Sequence, residues 1–108
     1  MNYIPKKGDL IYIDFDPSRG KEIQKRRPAI VMSNDDYNRV TGFCLVIPIT
    51  KVEINMPFRF TLTNYKITGQ VNTLQEYTFD YHFRNAKYKD KIRSIDYHII
   101  YKMMLEKF

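Results

Sequence analysis

Residues 8–33 read GDLIYIDFDPSRGKEIQKRRPAIVMS, and the fold turns on how this stretch is divided. Leu10 to Phe15 is rich in Ile, Tyr and Phe, and Ala29 to Met32 is wholly apolar; both predict strands of one core. Asp14 and Asp16 alternate with Ile13 and Phe15, which predicts one wet face for the first strand. Asp16-Pro17-Ser18-Arg19-Gly20 is turn chemistry, because Pro sets one φ angle, Asp and Ser bond back to the backbone, and Gly permits φ > 0. From Arg19 to Arg27 the chain then carries five cations (Arg19, Lys21, Lys25, Arg26, Arg27) and one acid, Glu22. That segment is too long and too charged for a tight hairpin turn. A charged loop anchored at both ends by buried strands is the first place to look for function.

Outward from this stretch the chain is mainly β with short helices. Residues 3–7 form an extended lead-in containing Pro5, and residues 33–38 carry cap residues that predict one helical turn. Phe43 to Ile49 reads as a central strand, with Pro48 pushing its end to an edge or bulge. Phe58, Phe60 and Leu62 alternate with Arg59, Thr61 and Thr63, the pattern of a half-buried strand. Further strand is expected at Val71, Leu74 and from Tyr77 to Phe83, followed by a basic loop over residues 85–91. Ser94 is the predicted N-cap of a C-terminal helix whose Ile95, Ile99 and Met103 form its apolar stripe. Without linker or repeat, residues 1–108 are expected to form a single domain, a small twisted sheet or barrel closed by that helix.

The totals narrow the class. Eighteen Lys and Arg against twelve Asp and Glu give a net charge of +6, which favours an anionic partner. A second run from Arg84 to Arg93 again holds five cations against Asp90 alone, so two basic clusters stand far apart in sequence. The single Cys44, inside FCLVIPI, rules out an internal disulfide and fits a small buried hydrophobe in a reducing, cytoplasmic setting. No signal-like N-terminus and no apolar run of about 20 residues is present, so no membrane association is expected.

Catalytic constellations are sparse. There is no phosphate-cradling glycine loop, no CxxC and no HxxxH, and the two histidines, His82 and His98, fall on different predicted elements. Asp14 and Asp16 read as a strand residue and a turn cap, so no metal site and no cofactor is expected. What remains is Glu22, Arg26, Arg27 and the Thr50 hydroxyl at the end of an apolar strand. Pro28 biases Arg27 toward extended geometry, so its guanidinium can be held where a phosphate needs it. On residue types alone, each of these reads equally as a surface cation, an ion-pair partner or a β-favouring residue.

The 8–33 stretch resembles the opening of the MazF/PemK family of toxin endoribonucleases, G-D-[IL]-x-x-[VI]-[DN]-[FL]-x-P-x-x-G-x-E-x-x-x-x-R-P-[AV]-[VI]-[VI]-[LI]-S. The match falls at Gly8, Asp9, Leu10, Asp14, Phe15, Pro17, Gly20, Glu22, Arg27, Pro28, Ala29, Ile30, Val31 and Ser33. Pro48-Ile49-Thr50, Gln75 with Thr78-Phe79-Asp80, and the C-terminal helix are also similar to that family. Departures are Met32, Lys51 after Thr50, Tyr81 where some members carry Trp, and the divergent residues 52–56.

The resemblance implies an SH3-like (PemK-like) barrel, a homodimer, and metal-independent, sequence-selective cleavage of single-stranded RNA in the cytoplasm. It also implies inhibition by a cognate antitoxin protein, for which an acidic segment would suit the basic groove. It assigns catalysis to Arg27 and Thr50, with Glu22 beside them. Arg19, Lys21, Lys25, Arg26, Lys51, Gln75, Arg84 and Lys87 are then the expected RNA contacts. Two rival readings are a same-fold toxin that poisons DNA gyrase through its C-terminal helix and a plain RNA-binding barrel module.

Overall fold

The computed structural model of the chain describes residues 3–16 and 25–108, with Asp16 and Lys25 described by their backbone. Its elements are β1 (Asp9–Asp16), β2 (Lys25–Val31), α1 (Asp35–Thr41), β3 (Phe43–Thr50), β4 (Arg59–Thr61), β5 (Gln70–Asn72), β6 (Tyr77–Asp80), β7 (Lys87–Lys91) and α2 (Ser94–Leu105). All ladders are antiparallel, in the order β4-β5-β3-β2-β1-β7, with β6 added to β3. The path of ladders does not close on itself. Even so, Phe15 of β1 packs edge-on against Tyr77 and Phe79 of β6 at 5.2 and 5.1 Å, although β2 and β3 lie between those strands in the ladder. The sheet therefore curls over that face into a small barrel-like form, as expected from sequence.

Both faces of the central strands are buried, which is why β2 and β3 read as continuous apolar runs rather than alternating ones. On one face Leu10, Ile30, Ile47, Ile49, Leu62 and Val71 pack with Ile92 and Ile100. On the other, Ile11, Ile13, Ala29, Val31, Cys44 and Val46 pack with Phe79 and Tyr81. Cys44 is fully buried, and burial pushes its thiol up to about 12. Asp90 accepts the backbone N–H groups of Lys66 and Lys91, which tie the β4–β5 connection to β7 and hold its carboxyl below the usual carboxylate range.

Several local expectations are corrected. Pro48 lies inside β3, buried and paired with Ala29. Leu45 O accepts from Met32 N, so odd-numbered residues of β3 turn their polar backbone toward β2 and even-numbered ones toward the opposite edge. Pro48 faces that opposite edge between the last β6 pair (Val46↔Tyr77) and the first β5 pair (Ile49↔Val71), where no ladder calls for its missing N–H. The basic loop over 85–91 is instead largely β7, a lysine-bearing strand at the sheet edge. Leu74 and Phe83 sit exposed in turns outside β5 and β6.

The helices differ as well. α1 runs seven residues, from an Asn34 cap that accepts Tyr37 N–H to Gly42 at φ 77°. In α2 the N-cap position is Arg93, and Ser94 is the first helical residue. Arg93 stacks on the Tyr65 ring at 4.2 Å, and Tyr65 OH donates to Asp96 at 2.5 Å, so the helix start is clamped by the β4–β5 connection. The packed face of α2 is Tyr97, Ile100 and Met104; Ile95 and Ile99 point outward, and Met103 is half-buried. The helix is apolar nearly all round, so two stripes satisfied the same period.

Candidate active site

The β2–β3 register runs Val31↔Val46, Ile30↔Ile47, Ala29↔Pro48; the same count carried two residues past the last pair would set Arg27 opposite Thr50. Arg27 also pairs with Ile13 on β1, and alternation puts it on the face of Ala29 and Val31. Thr50 follows Val46 and Pro48 on that same face by the same rule. Both thus stand where the second core layer runs out into solvent, Arg27 exposed and Thr50 half-buried. Among the described residues no acceptor holds the Arg27 guanidinium. Thr50 Oγ1 accepts the Val52 N–H at 3.2 Å, which uses an acceptor site and leaves its own O–H free to donate.

Gly69 sets the backbone at this point. Its φ is +133°, and a Cβ there would come within 2.5 Å of the Thr50 carbonyl oxygen. Only glycine lets β5 begin this close to the end of β3, where Gln70 pairs with Thr50.

Arg26 has a different task from its neighbour. Its guanidinium donates to Asp14 Oδ1 at 2.8 Å and to Asn85 O at 2.7 Å. Asn85 Nδ2 donates to Asp14 Oδ2 at 2.9 Å, so both carboxylate oxygens are occupied. Asp14 is only 6% exposed, a correction to the wet face expected for β1. Arg84 donates to Phe15 O at 2.6 Å and Asp14 O at 3.2 Å and lies 4.0 Å from the Phe79 ring centroid. Arg26 of the first basic run and Arg84 of the second therefore meet around the end of β1. Arg26 and Arg84 are engaged there in tying the end of β1 to β2 and to the turn after β6.

Lys51 and Gln75 are exposed, and Gln75 Oε1 accepts weakly from Asn72 at 3.4 Å. Lys87 is exposed on β7 opposite Tyr12, three strands from β3, about 14 Å along the sheet by strand spacing. Arg19, Lys21 and Glu22 lie outside the described residues, as does the side chain of Lys25. The Asp14–Asn85 contact was missed by sequence reasoning, and the only trace of it is Asn85 itself, a residue that tolerates its φ of 56°.

The curled sheet with its C-terminal helix is shared with solved structures of MazF. A crystal structure of MazF from Deinococcus radiodurans superposes with a TM-score of 0.87 at 28% identity, covering 98% of this chain and 97% of that one. A MazE–MazF structure from the same organism gives 0.89 at 28% identity, over 98% and 96%. The endoribonuclease toxin MazF of Escherichia coli K12 is 43% identical over 67 residues, 62% of this chain and 60% of that protein. The endoribonuclease PemK of Escherichia coli is 28% identical over 92 residues, 81% and 69% of the two lengths. Residues 6–106 match the model of the PemK-like, MazF-like toxins of type II toxin–antitoxin systems, and the chain belongs to that family.

Proposed function

We propose that this chain is a toxin endoribonuclease that cleaves single-stranded RNA, with Arg27 and Thr50 acting on the scissile phosphate. The observation that carries the reading is the β2–β3 register, which, carried two residues past its last pair, would set Arg27 and Thr50 on one face at the solvent end of a core layer, in a chain of this family. RNA supplies its own nucleophile. The 2′-hydroxyl attacks the adjacent phosphorus, the P–O5′ bond breaks, and the products are a 2′,3′-cyclic phosphate and a 5′-hydroxyl. The enzyme must stabilise the charge that grows on the phosphorane oxygens. A permanently charged guanidinium fork and a hydroxyl free to donate suit that task. Proton transfer by Arg27 itself is disfavoured by a pKa above about 12, so its part is electrostatic. Glu22 is the candidate for assisting the 2′-hydroxyl proton. No step requires a metal ion or cofactor.

Lys51, Gln75 and Lys87, with Arg19, Lys21 and Lys25 of the β1–β2 connection, would track the phosphate backbone. Exposed Tyr77 beside Phe15 offers a ring for base stacking. An antitoxin with an acidic segment, laid over the same cations, would exclude RNA. The working form is proposed to be a cytoplasmic homodimer, which a mass measurement in solution checks.

The deciding experiment incubates the protein with mixed-sequence single-stranded RNA in EDTA and maps the cut ends. Fragments with 5′-hydroxyl ends, lost with Arg27→Ala and absent on DNA of the same sequence, are the expected result. Intact RNA under all conditions would sink the enzyme reading and leave an RNA-binding module or a gyrase-directed toxin.

A further inference from the structure

Residues 51–57, which follow Thr50 directly, are all exposed, including Val52 at 66%, Ile54 at 42% and Met56 at 36%. Such a segment has little apolar burial to hold it and belongs by that measure to the weakly stable end of the molecule. Yet its backbone is anchored by one buried side chain. Gln70, 7% exposed, pairs with Thr50 on one side and Thr61 on the other. Its Oε1 accepts from Ile54 N at 3.0 Å and from Arg59 at 3.1 Å. Its Nε2 donates to Thr61 Oγ1 at 3.2 Å and to Ile54 O at 3.4 Å. Every hydrogen-bonding position of the amide is used, and two of them grip Ile54 as a neighbouring strand would.

The grip reaches Thr50. The Arg59 nitrogen that meets Gln70 also donates to Val52 O at 3.1 Å, and Val52 N donates to Thr50 Oγ1 at 3.2 Å. Among the described residues Arg59 Nε is buried without a hydrogen-bond partner, so this arginine is held in place despite an unmet donor. A groove of about 380 Å³ runs between the segment and β4–β5, lined by Asn55, Arg59, Thr61 and Gln70 among others.

We propose that Gln70 and Arg59 are positioning residues: they pre-order residues 51–57 and the Thr50 hydroxyl, and so set both the rate and the sequence preference of RNA cleavage. The proposal rests on the reading of Thr50 as part of an RNA-cleaving site. Gln70 touches no reacting atom; it acts through Arg59, Val52 and the loop backbone. A surface that must discriminate bases works only if its donors and acceptors are fixed before RNA arrives.

The test uses the full chain with Gln70→Leu, Gln70→Glu, which keeps the acceptor but not the donor, and Arg59→Met, which cuts the link to Val52 while leaving the Gln70 amide its bonds to Ile54 and Thr61. Amide exchange of the RNA-free protein comes first. Ile54 N–H should exchange at least about tenfold faster in Gln70→Leu, while Val46 and Ile47 in the middle of β3 keep their protection. Cleavage sites mapped with the wild type are then assayed as short RNAs with single-base changes. In Gln70→Leu and Arg59→Met, kcat/KM at the best site should fall about tenfold and the ratio of best to single-base-changed sites should shrink, with Gln70→Glu in between. Unchanged Ile54 exchange overturns the clamp. Faster exchange with kcat/KM and the sequence ratio both within twofold of wild type overturns the positioning role, as does a loss of activity that follows global melting in all three variants. A wild type that cuts no RNA overturns the endonuclease reading and the role in cleavage, while Ile54 exchange still decides the clamp.

Discussion

Arg26 and Arg27 are adjacent, alike and both solvent-accessible, yet strand alternation sends their side chains to opposite faces of β2. Arg26 neutralises a buried carboxylate; Arg27 stands on the face of Ala29 and Val31. Arg27→Ala should lower cleavage about 100- to 1,000-fold, the size seen when a transition-state donor is removed, while the melting temperature stays within a few degrees. Arg26→Ala should do the reverse in emphasis: it leaves Asp14 without its charged partner and is expected to destabilise the fold by about 1–3 kcal/mol in urea unfolding. Cys44 offers a pH test at the same scale. Its folded thiol is raised by burial from 9.0 to about 12, so the contribution is intact below about pH 9 and declines as pH climbs toward 12. The phenols of Tyr65, Tyr81 and Tyr97 are raised by burial too and add in the same direction. Denaturant midpoints at pH 8 and pH 10.5 should differ, the higher pH being less stable, and a thiol reagent should reach Cys44 only on unfolding.

At the scale of elements, the junction of β3 with β5 and the packing of α2 carry the sharpest expectations. Gly69→Ala places a methyl 2.5 Å from a backbone oxygen at a φ of +133°. The expected loss is about 2–4 kcal/mol, read as a shift in urea midpoint, and Thr50 should be displaced so that activity falls even where the variant is folded. Ile100 is fully buried in the core cluster that also holds Leu10, Ile30 and Ile47, so Ile100→Ala should cost about 2–5 kcal/mol. Ile95, 69% exposed, should change stability by less than about 0.5 kcal/mol when replaced by Ala. The reverse result would restore the stripe of Ile95, Ile99 and Met103 as the packed face.

Across the whole molecule, a net charge of +6 is gathered toward the β1–β2 connection and β7, and the cations there divide into supports and free charges. Arg26 and Arg84 bind β1 and the β6–β7 turn, and Lys91 donates to the buried Asp9 at 3.0 Å, whereas Lys51 and Lys87 extend from exposed positions. RNA binding should weaken steeply with salt, and Lys51→Ala or Lys87→Ala should each flatten the slope of log K against log salt by about 0.7 without altering stability. An isothermal binding series with a DNA analogue of the cut sequence measures this without turnover.

The two continuous apolar runs, the charged connection between them, the cap residues that open a helix at 33–38, and the extended bias that Pro28 gives Arg27 were all legible in the chain, because each depends on near neighbours: strand hydrophobicity, capping and φ restriction are local. Whether Arg27 and Thr50 share a face was not, since it follows from a register between residues 15 or more apart in sequence. Nor was the burial of Asp14, which requires Arg26 across the β1–β2 ladder and Asn85 from the far end of the chain. The lysines of β7 read as loop because an edge strand's pattern is set by solvent and by β1 beside it. α2 presented two apolar stripes of equal period, and only the shape of the core beneath chose Ile100 over Ile95. The 8–33 stretch by itself thus determined which arginines the candidate site could draw on; packing at long range decided which of them is left unpaired among the described residues and which holds the frame, because the energy of a buried charge depends on partners that only the folded chain brings within 3 Å.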